Sequence, residues 1–461
     1  MTYAHTMYHL DSLPHRAQPR RLLCAAALTV ATLVSSVTGA APQEVSDSLQ
    51  TAPENVREYA QHALFLAHPS LEGRLPGTPG IDAAEQAIVS SLYESGFKPA
   101  FETGFRQTFE FKQGGAFGSR SNAEIVRGVN VAGILPGAGA LKDQWVIIGA
   151  HHDHIGRGGF GSRSATSAGL IHEGADDNAS GTAAVMLSAR LLSERFSPTE
   201  EAGTEPEPRR SIMLATFSGE ESGLNGSKYF VDHSPVPLEQ ISLMINLDMV
   251  GRLVEDRIQV CGSQSAEELP AIIEAAAVGN PLEPVLSSGL TSRSDHASFY
   301  RKNIPVLFLT ETVFPDEYHT IDDEAWKLNM EGGAAAAELA SALAAEAALA
   351  PQKPQWKEVE GFETGEGGPS ISDIKIRFGI KPGNYGDTNP GVLVAGVSPE
   401  TSAEDAGILE DDLLVGWNGQ QIVGVREWML LMAEHEPGDI VTVTVIRDDE
   451  EVDVPVMLKP R

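Results

Sequence analysis

Four stretches of the chain are apolar almost without interruption: WVIIGA (145–150), SIMLATFS (211–218), SLMINLDMV (242–250) and IPVLFLTE (304–311). Short runs of this kind predict buried strands, and a strand without polar alternation must be covered on both faces. Around them the apolar spacing turns helical, as in AAEQAIVSSLYESG (83–96) and GTAAVMLSARLLSERF (181–196), and GGAAAAELASALAAEAALA (332–350) predicts a closing helix. The pattern predicts an α/β fold over residues 41–350, a mostly parallel sheet sandwiched by helices. The acid- and Pro-rich SPTEEAGTEPEPRR (197–210) reads as a solvated loop.

The pattern then changes. Residues 351–368 have neither period and read as a linker. From 369 to 461 short Val/Ile-rich runs with Gly turns predict a small β-rich domain. At the other end, Arg16, Arg20 and Arg21 precede the apolar run LLCAAALTVATLV, and VTGA closes it at Ala40. This is the pattern of a cleaved export signal over residues 1–40, and a run of 13 residues is short of a comfortable membrane span. The expectation is an exported chain, periplasmic or secreted and bacterial, with no stable membrane insertion after cleavage.

Composition sharpens this. A formal charge of −31 excludes a nucleic-acid partner, since nothing neutralises a run of phosphates. Of two cysteines only Cys261 lies outside the signal, which excludes an internal disulfide in the mature chain.

Each predicted strand is followed by groups that bind metals: His151 and Asp153, Glu220 and Glu221, Asp248, and, after a longer loop, His319. GADDNASG adds Asp176 and Asp177 ahead of a helix. Sites in open α/β sheets form beyond the carboxyl ends of strands, so these distant segments are expected to converge in one crevice. Imidazoles and carboxylates without thiolate suit a pair of divalent ions, and a carboxylate that is not a ligand can then move a proton.

The motifs GAHHDHIG, GADDNASG, FSGEESGLNGSKYF, INLDMVG, SDHASFY and EYHTIDD, in this order, resemble the zinc aminopeptidases of the M28 metallopeptidase family. The resemblance implies two Zn²⁺ per chain, with Mn²⁺ or Co²⁺ as substitutes. It implies His151 and Asp248 on one ion, Glu221 and His319 on the other, and Asp176 bridging through a cis peptide to Asp177. Glu220 is the implied general base, and Asp153 the group that fixes the tautomer of His151. His152 and Glu311 depart from the usual pattern and are candidate substrate contacts, Glu311 facing either an α-ammonium group or a local Arg. Asp295 and His296 read as supporting residues, His154 and His172 as loop residues or outer neighbours of the ligands, and Arg74 as part of a structural ion pair.

The segments ISDIKIRFGIKPG, GVLVAGVSPETSAEDAGILEDDLLVGWNGQQI and DIVTVTVIRDDEEVDVPVML resemble a PDZ domain. The resemblance places Arg377, Phe378, Gly379 and Ile380 at a groove for peptide C-termini. The expected function is hydrolysis of N-terminal residues from peptides with a free amine. The alternatives are a dipeptidase or carboxypeptidase, a single-zinc glutaminyl cyclase of the same fold, and a non-catalytic PDZ scaffold.

Overall fold

The computed structural model describes residues 48–460 except 114–123, 159–160, 164–166, 168, 198–206, 288, 314, 360–361, 363–373, 383–390, 423–424 and 448–449. The expected export signal lies outside the described residues, as does most of the 197–210 loop. The chain divides into two compact units, residues 1–362 and 363–461.

The first unit is built on a nine-stranded sheet of β1 (Lys98–Pro99), β2 (Arg106–Gln113), β3 (Glu124–Leu135), β4 (Trp145–His151), β5 (Ser211–Phe217), β6 (Ile241–Leu247), β7 (Arg257–Cys261), β8 (Glu283–Ser287) and β9 (Val306–Thr310). Its order is β1-β3-β5-β4-β6-β9-β7-β8, with β2 also on β3. Strands β5, β4, β6 and β9 run parallel and make the centre, while β3 and β7 join them antiparallel, so the sheet is mixed. All four predicted strands lie in that parallel centre.

Their unbroken apolar character follows from what covers them. Val146, Ile148, Leu214, Leu243 and Ile245 enter one core, and Ile147, Met213, Ala215, Phe217 and Met244 enter another on the opposite face. The first face is covered by α1 (Glu54–Leu66), α2 (Pro79–Glu94), α3 (Gly181–Arg195), α5 (Leu269–Ala277) and α7 (Met330–Leu349). The short α4 (Asn225–Asp232) and α6 (His296–Tyr300) cover the second, where Phe217, Phe230 and Phe299 form one aromatic cluster. Helix α7 packs against α1, α3 and α5, and its small residues permit the approach: a Cβ on Gly333 would stand 2.2 Å from the Tyr59 ring.

The tract read as a linker is in part fixed to this unit. Trp356 bridges to Ala266, the Val359 N–H donates to Tyr300 Oη at 2.5 Å, and Phe362 packs edge-on against the Tyr300 ring. Aromatic residues in an otherwise polar tract are what anchor it.

The second unit contains β10 (Ile380–Pro382), β11 (Val392–Val397), α8 (Ser402–Ala406), β12 (Leu413–Trp417), β13 (Gln420–Gln421), α9 (Val425–Ala433), β14 (Ile440–Arg447) and β15 (Glu450–Met457). The sheet order is β10-β11-β12-β14-β15, antiparallel throughout, with β13 on β12. Its core gathers Phe378, Val394, Leu414, Trp417, Trp428 and Val443. Asp411 takes a positive φ of 71°, and Asp412 is buried against Arg447 at 2.6 Å.

Candidate metal centre

The centre lies past the carboxyl ends of the parallel strands. Strand β4 is flanked by β5 on one side and β6 on the other, so the chain reverses its direction of travel across the sheet at β4 and leaves a crevice there. His151 ends β4, Glu220 and Glu221 follow β5, Asp248 follows β6, and His319 sits in the loop after β9. The segment 174–180 enters from above α3. Gly174, at φ 59°, is required there: a Cβ would meet the Asp177 carbonyl and the His154 ring, each at 2.4 Å. Asp177 and Asn178 leave helical geometry, and their shared peptide is cis. Asn178 then ties the turn to the strand that carries Asp248, donating to Leu247 O at 2.9 Å and accepting from the Met249 N–H.

Asp177 stands at the middle. Its Oδ1 is 3.2 Å from His151 Nε2, and its Oδ2 is 3.0 Å from His319 Nε2. Asp248 Oδ1 lies 3.4 Å from His151 Nε2, and Glu221 Oε2 lies 3.0 Å from His319 Nε2. Two groups able to hold an ion result: His151, Asp177 and Asp248 on one side, and His154, Asp177, Glu221 and His319 on the other. His151, Asp248, Glu221 and His319 thus come together as expected, but the shared carboxylate differs. Asp176 turns away, its Oδ1 accepting from the Gly251 N–H at 2.7 Å and its Oδ2 lying 4.0 Å from Arg252 Nε. The cis peptide likewise falls one residue later, between Asp177 and Asn178. Consecutive side chains at a non-helical turn point in different directions, so only one of the pair can face both histidines.

The outer neighbours fix these groups. Asp323 accepts the main-chain N–H groups of Asp176 and Asp177 at 3.0–3.1 Å and an Arg252 N–H at 3.1 Å. His319 Nδ1 faces the Gly161 carbonyl at 2.7 Å, which makes Nδ1 the protonated nitrogen and aims Nε2 inward. His151 Nδ1 is paired in the same way, but with the main-chain carbonyl of Asp153 at 3.2 Å. The Asp153 carboxylate is 3.8 Å from that nitrogen and instead accepts the Glu220 N–H at 3.1 Å, so it orients the loop of Glu220 more than the histidine.

Electrostatically the site is a buried excess of negative charge. Burial and neighbouring carboxylates push Asp153 and Asp295 to about 7, while Glu220 is driven well above the usual range by burial and by Glu221, Asp295 and Asp248, against the pull of His151. Burial and Asp177 push Glu221 up, yet His319 and His154 hold it down to about 2. Burial opposes charge on His151 and His319, but the surrounding carboxylates raise both well above their ordinary value. Such a cluster demands cations, and divalent ions meet that demand without protonating the carboxylates. The donor set fits: imidazole and carboxylate, no thiolate, and one carboxylate with an oxygen for each side.

Other expected contacts fall elsewhere. His152 is fully buried, its Nδ1 3.0 Å from Thr216 Oγ1, and burial pulls it down to about 3; it is a neutral residue packed on β5, not a wall of the crevice. Among the described residues no arginine pairs with Glu311; Arg252 binds Asp323 and Glu317. Glu311 faces Asp176, and burial with that carboxylate drives it to about 12. His296 is a buried support stacked on Phe308. His172 is a buried loop residue, its Nε2 2.9 Å from Ser162 Oγ. Among the described residues Arg74 makes no ion pair: fully buried, it donates to the carbonyls of Leu66, His152, Glu173 and Gly174 at 2.7–2.9 Å, joining both metal-bearing loops. A cleft of about 280 Å³ opens beside Asp153, His154 and Glu221, with Leu75, Pro76 and Ile155 on its wall.

In the second unit Phe378 is buried against Trp417 and Trp428, whereas Arg377 is exposed. The Gly379 carbonyl accepts the Ser398 N–H at 2.7 Å, and Ile380 begins β10.

Fold and donor set together define a metal-binding α/β domain with the ligand chemistry of hydrolytic centres. Residues 130–344 match Peptidase family M28 and residues 376–458 match the PDZ domain, so the chain carries an M28 peptidase domain followed by a PDZ domain. Its relatives include leupeptin-inactivating enzyme 1 of Streptomyces exfoliatus, 27% identical over 62% of this chain and 57% of that one. Aminopeptidase YwaD of Bacillus subtilis is 28% identical over 49% of this chain and 46% of its own length. Glutaminyl-peptide cyclotransferase of Drosophila melanogaster is 24% identical over 40% and 55%. The chain thus spans about half the length of the curated relatives it matches.

Proposed function

We propose that this chain is a two-zinc aminopeptidase that removes N-terminal residues from peptides, with Glu220 as general base. The observation that carries the reading is Asp177, whose two oxygens each face a different histidine. His151 and Asp248 would hold one ion, Glu221 and His319 the other, and Asp177 both. Bound zinc supplies polarisation of the scissile carbonyl and a water of lowered pKa.

The chain's own part is proton movement and orientation. Glu220 is not in either ligand group, yet its Oε2 is 4.0 Å from His151 Nε2, at the edge of the centre. A carboxylate driven upward by burial is suited to accept a proton from water and return it to the leaving amine. Asp153 holds the Glu220 main chain, and Arg74 holds the loops on either side. The cleft beside Glu221 gives a substrate a part-apolar wall.

The N-terminal pattern supports export, and among the described residues no helix is long and apolar enough to cross a membrane. The PDZ domain is proposed to bind substrate C-termini by strand addition and thereby raise their concentration at the tethered peptidase.

The test is hydrolysis of aminoacyl-p-nitroanilides by the wild type and Glu220→Gln, with chelator and zinc add-back. Metal-dependent activity that drops about 10²–10⁴-fold in the variant, with zinc retained, supports the reading. One zinc per chain and cyclisation of N-terminal glutamine favour the cyclase alternative, which the Drosophila relative motivates. No zinc favours a scaffold. Two zincs without activity on any free-amine substrate favour a dipeptidase or carboxypeptidase.

A further inference from the structure

The two halves of the centre are not equivalent. The half with His151 and Asp248 has three protein groups, whereas the other has a fourth, His154. This histidine is fully buried, its Nδ1 lies 2.7 Å from Glu221 Oε1, and its Nε2 has no hydrogen-bond partner among the described residues. Glu221 is therefore gripped from two sides: Oε2 faces His319 Nε2 at 3.0 Å, and Oε1 faces His154. Among the described residues no second imidazole, besides that of His151, meets the carboxylate of Asp248 in the other half.

Resting on the two-zinc reading, we infer that His154 is a positioning residue: its Nδ1–H donates to Glu221 Oε1 and holds that carboxylate so that a single oxygen, Oε2, is presented to the ion beside His319. Three observations support a holder over a ligand. The close contact is with the oxygen turned away from His319. The Nδ1 atom is farther, 3.9 Å, from the shared Asp177 Oδ2, to which His319 approaches within 3.0 Å. The carboxylate–imidazole hydrogen bond also supplies the donor that a buried carboxylate with one coordinating oxygen otherwise lacks. The local chain is arranged to keep the ring in place: Gly174 leaves no room for a Cβ against its Cγ, and Arg74 N–H groups bind carbonyls on both flanking segments.

The consequence is selective. Losing His154 should weaken one ion more than its neighbour, because the close contact of this ring is with Glu221, whereas the shared Asp177 is 3.9 Å away. Loss of an outer partner of a metal ligand costs roughly 10–100-fold in metal affinity. The residue to restore function is asparagine, whose side-chain amide nitrogen occupies nearly the position of Nδ1 and can donate the same bond.

The experiment uses the full chain as wild type, His154→Ala and His154→Asn. Zinc affinity is read by competition with a chromophoric chelator, kcat and KM at set free zinc, and coordination by zinc X-ray absorption. The expected result is that His154→Ala weakens one of two zincs by about 10–100-fold, lowers kcat at limiting zinc with KM unchanged, and recovers with excess zinc. His154→Asn should restore most of the affinity. The wild type should show about one imidazole per zinc, from His151 and His319 alone. Two findings overturn the inference: unchanged affinities for both ions in His154→Ala, or about one and a half imidazoles per wild-type zinc, which makes His154 a ligand. Equal weakening of both ions in His154→Ala and His154→Asn also overturns it, as a general structural effect. A wild type that binds fewer than two zincs refutes the two-zinc reading instead, and is seen before any variant is made.

Discussion

The sharpest perturbation exchanges one atom in each of two adjacent aspartates. In Asp177→Asn the side chain keeps one oxygen and gains an amide nitrogen that cannot coordinate a cation. The two carboxylate oxygens lie 3.2 Å from His151 Nε2 and 3.0 Å from His319 Nε2, so only one half of the centre can keep its third protein group. The deprived half is left with His151 and Asp248, or with Glu221 and His319, and loses at least the roughly 10–100-fold in affinity that removal of a mere outer partner costs. At zinc concentrations that saturate the wild type only modestly, content should fall from two ions per chain toward one, and peptidase activity should be lost. Asp176→Asn is the control in the same turn. The Asn oxygen still accepts from Gly251, whose bond to Asp176 is 2.7 Å, and the substitution removes a charge that crowds Glu311. Zinc content should stay at two and stability should hold or rise slightly. Metal analysis after dialysis against limiting zinc, with circular dichroism as a check on folding, decides it. A loss of zinc in Asp176→Asn with retention in Asp177→Asn would refute the geometric argument and restore Asp176 as the bridge.

Three further outcomes follow from the same geometry. Arg74→Met leaves four carbonyls without their donor; at about 1–3 kcal/mol per group left unpaired, thermal unfolding should fall by about 10 °C or more, and Arg74→Lys, which keeps the charge but loses the fork, should recover only part. With the ions stripped by chelator, stability should fall as pH rises from about 5 to 8. Over that window the folded chain binds more protons than the unfolded one, because the folded His151 and His319 values lie above their unfolded ones and Asp153 and Asp295 titrate near 7. The stability they contribute is present below the unfolded values and is lost as pH passes through the folded ones. Asp177 and Glu221, depressed to the other side, are ionised in both states throughout and add no slope. Calorimetry across the range checks the sign, and saturating zinc should flatten or reverse it. Deleting residues 369–461 should raise KM for long peptides and leave dipeptide-like substrates unchanged; equal losses on both would remove the tethering role.

What the sequence disclosed, and what it hid, divides along a physical line. Strands β4, β5, β6 and β9 were legible because helices cover both faces, and burial on both faces leaves few polar residues to blur the run. Strands β2 and β3 were not, since they form an edge where exposed and buried positions mix, as in RQTFEFKQ. The same distinction governs the centre. Segments whose residues act through their own side-chain type, those of His151, Glu221, Asp248 and His319, could be picked out by chemistry and by position after a strand, while the choice of His151 and Glu221 over their like neighbours rested on the family motifs. Which of two identical neighbours faces the crevice depends on the backbone dihedrals of one turn, and composition carries no trace of those. Residues that act through the main chain are hidden more deeply. Arg74 binds four carbonyls, Gly161 offers a carbonyl to His319, and Asp323 grips two N–H groups of 176–177; none of those partners has a side-chain identity to read. His154 falls between the two cases. It stands inside the quoted GAHHDHIG motif, and three residues beyond His151 it lies off the strand, free to turn toward the opposite half of the centre. Its carboxylate partner is then supplied by another strand's loop, so only the fold brings the pair together.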